Sequence, residues 1–129
     1  MEDPPPADVE IAALTRAMVK GDEMAYRTFH DAYCDRLLRY LLVVTNGNEE
    51  AAREVLQLTF VRVVRHVKVF GAEEKFWSWL TVLARTAFLD ETRKRRRYFS
   101  FLERFMSFSA VEAASADQRP MNAYSALRL

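Results

Sequence analysis

The chain contains three glycines, and each separates two stretches whose apolar residues recur at steps of three and four. Gly21 follows the stripe Ile11, Leu14, Ala17, Met18. Gly47 follows Phe29, Tyr33, Leu37, Tyr40, Leu41, Val44. Gly71 divides Ala52, Val55, Leu56, Phe60, Val63, Val64, Val67 from Phe76, Leu80, Leu83, Ala84, Ala87, Phe88. A step of three and four puts these side chains on one face of a helix, and glycine admits the left-handed backbone that ends one. Four helices are predicted: Val9 to Lys20, one capped by Asp22 and reaching about Thr45, Glu49 to about Val67, and Glu73 or Glu74 to about Arg97. Asn48 can cap the third, since its side chain accepts backbone N–H bonds. The β-branched run Val61 to Val69 suits a strand by propensity, but Arg62, Arg65 and Lys68 keep helical spacing. With no hairpin signal, the expected fold is all-α, a small helical bundle.

The ends read differently. Residues 1–8, with Pro4, Pro5 and Pro6, favour extended backbone and read as a disordered tail before a helical domain over 9–97. Residues 98–129 read as a helical and linker segment. In it Phe101, Leu102, Phe105 and Phe108 keep helical spacing and suggest packing back on the bundle. Half of the residues are apolar, enough for one modest core.

The net charge of +1 hides a split. Residues 1–60 hold 11 of the chain's 18 acids and six of its 19 bases, about −5; the remainder is about +6. Two different partners would account for that asymmetry, as would charges spread over solvated faces. The single cysteine, Cys34, excludes an internal disulfide and fits a reducing, cytoplasmic setting. No apolar run approaches the roughly 20 residues that span a bilayer, so no membrane insertion is expected.

Arg93 to Arg97 is five consecutive cations at an expected helix end. The helix dipole explains one or two of them; a polyanion relieves the repulsion among five. Arg85 lies upstream, and Lys75, Phe76 and Trp77 follow Gly71. Cations beside aromatic rings stack unpaired bases, and a loop with an exposed ring can hold a flipped base. Trp79, followed by Leu80, reads as core, whereas for Trp77 both core and surface remain open. His30 and Cys34 sit four residues apart as metal ligands do, but two further ligands are missing, and a partly buried His30 with a buried Cys34 on a helix face accounts for them better. No phosphate loop, nucleophile–base pair or paired carboxylates emerge. No cofactor is expected, and the chain does not read as an enzyme.

These residues resemble region 2 of bacterial sigma-70-type RNA polymerase sigma factors, and among them the small extracytoplasmic-function subgroup. Gly21-Asp22-Glu23-Met24-Ala25-Tyr26 is similar to the Gly-Asp-x-x-Ala-Phe opening. Ala51 to Phe60 is similar to Asp-Ala-Glu-Asp-x-x-Gln-x-x-Phe. Phe76 to Asp90 is similar to Phe-x-x-Trp-Leu-x-x-x-Ala-Arg-Asn-x-x-x-Asp, and basic residues follow. The resemblance implies that Glu50, Glu54, Gln57 and Phe60 meet the β′ clamp helices of core RNA polymerase. It implies that Phe70, Lys75, Trp77, Arg85, Thr86, Leu89, Arg93 and Lys94 meet the non-template strand of the promoter −10 element. An anti-sigma factor is a further partner of the family. Ala51 and Arg53 stand where acids are usual, Leu58 where a polar residue is common, and Thr86 where an asparagine is placed. An altered clamp helix and a chain ending where region 4 would start suggest an alternative: a module that occupies polymerase or an anti-sigma factor without initiating transcription.

Overall fold

A computed structural model describes residues 4–106 of the chain. Its elements are α1 (Asp8–Val19), α2 (Glu23–Val44), α3 (Glu49–His66) and α4 (Glu73–Met106), with no strand among the described residues. The expected helices therefore form, with α3 continuing through Val61, Val63 and Val64 and ending at His66.

The helix ends show why the sequence breaks where it does. After α1, the Gly21 N–H donates to the Met18 carbonyl and the Asp22 N–H to Ala17, with Gly21 at φ +84°. This crossed pair is a Schellman motif and requires a left-handed residue. After α2 the same motif recurs, with Asn46 N–H to Val43 and Gly47 N–H to Leu42. Here both Asn46 (φ +60°) and Gly47 (φ +84°) are left-handed. Asp22 and Asn48 then cap the next helices, accepting the N–H groups of Met24 and Ala51, each at 2.9 Å.

Helix α2 packs against the other three, and α3 and α4 form an antiparallel hairpin. The centre is aromatic. Phe76 is fully buried, with ring centroids 5.3 Å from Tyr33, 5.3 Å from Phe70 and 5.8 Å from Phe29. Trp79 stacks on Phe76 at 6.1 Å, as its core assignment requires. Four buried threonines, Thr15, Thr45, Thr59 and Thr92, satisfy their hydroxyls by donating to the carbonyl four residues earlier.

Two polar contacts fix the α3–α4 loop and the start of α4 on α1. The buried Phe70 N–H donates to Thr15 Oγ1 at 3.0 Å, and the Glu73 N–H donates to Asp8 Oδ1 at 2.7 Å.

Several expectations are corrected. Helix α4 does not end near Arg97 but continues to Met106, because no glycine, proline or cap interrupts it. The aromatic residues Phe101 and Phe105 therefore do not fold back on the bundle; they are 57% and 59% exposed and stack on each other. Phe108, and the segment from Tyr124 to Leu129, lie outside the described residues. Val64, assigned to the core face, is 58% exposed, and Thr59 and Ala51 are buried on α3. His30 is exposed rather than partly buried, resting against the Phe60 ring at 5.0 Å. Cys34 is half-buried rather than buried, and burial pushes its thiol pKa up.

Candidate protein and nucleic-acid interfaces

On α3, Glu50, Glu54 and Gln57 are exposed at steps of four and three, so they share one face. Phe60 lies at its edge, half-buried against Phe29, with ring centroids 5.7 Å apart. The face continues through Val61 and Val64, 49% and 58% exposed, which sequence reasoning did not select. The signal was present: residues 55–67 hold more apolar side chains than one stripe can bury. Two acids of this surface are already engaged. Glu49 accepts from Arg53 at 2.9 Å, and Glu54 accepts from Arg95 of α4 at 2.7 Å.

The solvent face of α4 carries Ser78, Val82, Arg85, Leu89 and Arg93, all exposed, with Thr86 beside them. Exposed Val82 and Leu89 between cations form a surface that is apolar in the middle and positive at its edges. Arg85 donates to the Tyr40 hydroxyl at 2.8 Å. The Thr86 hydroxyl donates to the Val82 carbonyl at 2.8 Å, an intrahelical bond that leaves its oxygen free only as an acceptor. Lys75 is exposed one turn into the helix.

The five-cation run divides. Arg95 is held between Glu54 and Glu91, with only 16% of its side chain exposed. Arg93 pairs with Asp90 at 3.0 Å, and Asp90 also accepts from Arg62 of α3 at 2.9 Å. The Arg62 bond, with the nearby Arg93 charge, holds the Asp90 carboxyl below its ordinary pKa. Lys94, Arg96 and Arg97 are exposed.

Phe70 and Trp77 do not present open rings. Phe70 is 8% exposed, packed on Phe76 and Trp79, with the Lys68 ammonium 5.5 Å from its centroid. Trp77 is half-buried, near-parallel to Tyr33 at 6.2 Å and edge-on to Tyr40 at 6.4 Å. The Arg36 guanidinium lies 3.8 Å over the Trp77 ring. Glu73 anchors that arginine at 2.8 Å and accepts the Tyr33 hydroxyl at 2.8 Å. Burial, then the Glu73 bond, raise the Tyr33 pKa far beyond the physiological range.

Among the described residues no group of three or more His, Cys, Asp or Glu is placed to hold a metal ion, and no helix is long and apolar enough to cross a membrane.

Fold and surface thus define a small all-helical module with an acid- and glutamine-bearing helix on one side and a cation-edged helix on the other. Comparison with protein families matches residues 29–98 to sigma-70 region 2. That span covers more than half of the chain, which belongs to the sigma-70 region 2 family. In sigma factors, region 2 is a non-enzymatic transcription-initiation domain that binds core polymerase and recognises the −10 element. The match includes α3, the aromatic loop and α4 as far as Tyr98; α1 lies outside it. Neither the curated proteins nor the solved structures give a match.

Proposed function

We propose that this chain binds core RNA polymerase through α3 and the −10 strand of a promoter through α4, in the manner of extracytoplasmic-function sigma factors acting in the cytoplasm. The working unit is residues 9–97. Glu50, Glu54 and Gln57, with Val61 and Val64, form the surface for the β′ clamp helices; Phe60 supports it from beneath. Lys75, Arg85, Thr86, Leu89, Arg93 and Lys94 meet the strand, and Phe70 serves by shaping the loop. The observation that carries this reading is the match of residues 29–98 to region 2, together with exposure of both polar faces on opposite members of one helical hairpin.

Competition with a full-length sigma factor for core RNA polymerase tests it. Displacement of the full-length factor is the expected result, and the absence of binding by a folded chain refutes it.

A second reading is favoured by the α3 surface itself. Arg53 pairs with Glu49, and Arg95 covers Glu54, so fewer acids are offered than the family pattern supplies. A chain that occupies polymerase or an anti-sigma factor without initiating transcription would compete for polymerase yet show no preference among promoter strands.

A further inference from the structure

The seam between α2 and α4 carries two rings flanked by two cations: Arg36, Trp77, Tyr40 and Arg85. Two of the four come from α2, and neither Arg36 nor Tyr40 was selected by any sequence motif. The Arg36 guanidinium is fixed on two sides, by a carboxylate and by an aromatic ring. Glu73 holds it at 2.8 Å, and the Trp77 ring lies beneath it at 3.8 Å. Its side chain is nonetheless 29% exposed, while the Glu73 side chain beneath is 13% exposed. The seam therefore offers solvent a held cation and withholds the acid that holds it.

A guanidinium is planar and stacks readily on aromatic rings, and unpaired bases stack on such planes as they do on rings. An arginine already immobilised loses little side-chain freedom when a base is added. Trp77 is half-buried with the Arg36 guanidinium over its ring, so that face of the indole is already taken. Arg85, anchored on the Tyr40 hydroxyl at 2.8 Å, stands further along the seam.

We propose that Arg36 is the stacking surface for one unpaired base of single-stranded DNA, with Trp77 as its backing rather than as the stacking ring. This rests on the region 2 reading and adds to it a contact from α2. It requires that Arg36 supply a plane as well as a charge, which separates arginine from lysine.

The test uses the full chain and short single-stranded oligonucleotides of mixed sequence that carry the fluorescent adenine analogue aminopurine at successive positions. The wild type is expected to bind and to quench one position more strongly than its neighbours. Arg36→Lys keeps the charge and is expected to lose that quench and about tenfold in affinity, as loss of one stacked base implies, with the salt slope unchanged. Arg36→Ala, which removes the charge as well as the plane, should also lose the quench, with at least as large a loss of affinity. Far-UV circular dichroism identifies the folded variants, and Arg36→Lys carries the test if the alanine variant is unfolded. Binding by wild type with no position-specific quench, or a quench that survives in Arg36→Lys, overturns the role of Arg36 and leaves the DNA reading standing. No binding of any oligonucleotide by the wild type overturns both.

Discussion

Thr15 lies on α1, outside the region 2 match, yet the α3–α4 loop depends on it. Its side chain is fully buried; the hydroxyl donates to the Ile11 carbonyl at 2.7 Å and its oxygen accepts the Phe70 N–H at 3.0 Å. Thr15→Val keeps the shape and removes the acceptor. The Phe70 N–H is then buried without a partner, which costs about 1–3 kcal/mol; the Ile11 carbonyl retains its helical partner, so the loss concentrates on one amide. Valine and threonine have similar helix propensity, so little of the effect belongs to α1 itself. At roughly 4–8 °C per kcal/mol for a domain near this size, the melting temperature should fall by about 4–24 °C. Thr15→Ser retains the oxygen and should recover most of the loss. Hydrogen exchange at the Phe70 amide supplies the local readout: protection should drop in the valine variant and persist in the serine variant. A valine variant as stable as wild type, with the Phe70 amide still protected, would refute the reasoning.

Other outcomes are as specific. Phe76→Ala opens a cavity among Phe29, Tyr33, Phe70 and Trp79 and should cost about 3–5 kcal/mol in urea denaturation, a large share of a small domain's stability. Because Asp90 has a lowered pKa in the folded state, its stabilising contribution is present above the ordinary carboxylate range and is lost as pH falls through the folded value. Asp90→Asn should therefore flatten the acid limb of the stability–pH curve, measured by denaturation at a series of pH values. Glu54→Ala with Gln57→Ala should weaken competition for core polymerase and leave the circular dichroism spectrum unchanged. Lys94→Ala should reduce the salt dependence of single-strand binding by roughly 0.7 in log–log slope, the share of one phosphate contact, whereas Arg95→Ala should leave it unchanged.

What the sequence disclosed and withheld follows a physical division. The four helices and their breaks were legible because short-range rules set them: apolar spacing, Asp22 and Asn48 as caps, Gly21 at a left-handed position. Asn46 was missed as a left-handed residue because the adjacent Gly47 offered a sufficient explanation. The end of α4 was misplaced because a run of like charges was read as a boundary, whereas nothing in it prevents backbone hydrogen bonding. Site residues divided the same way. Glu50, Glu54, Gln57, Arg85 and Leu89 came from the family resemblance, and the helices expose all five; helical angle was enough to check them. It was insufficient for Phe70, where the Thr15 contact spans 55 residues, and for Trp77, whose cover comes from Arg36 on another helix. Contacts between distant segments have no local signature.

The basic run shows how this changes function. In sequence Arg93 to Arg97 is one block of five charges. In the folded chain, α4 turns successive residues through about 100°, so the block spreads around the helix instead of forming one patch. Arg95 points toward α3 and is consumed by Glu54 and Glu91, and Arg93 is tethered to Asp90. The buried faces of Val55, Val63, Leu80 and Phe88 hold the α3–α4 hairpin together; of the ion pairs, the exposed Arg93–Asp90 contributes only about 0–1 kcal/mol. The effect of the ion pairs is on direction. They draw one arginine off the α4 surface and leave Lys94, Arg96 and Arg97 exposed. A polyanion at α4 therefore meets a graded surface, with Lys75 near its start, Arg85 midway and the exposed cations toward its end. The acids that thin the basic run belong to α3 as well as to α4, so the same contact that removes Arg95 from one interface removes part of Glu54 from the other.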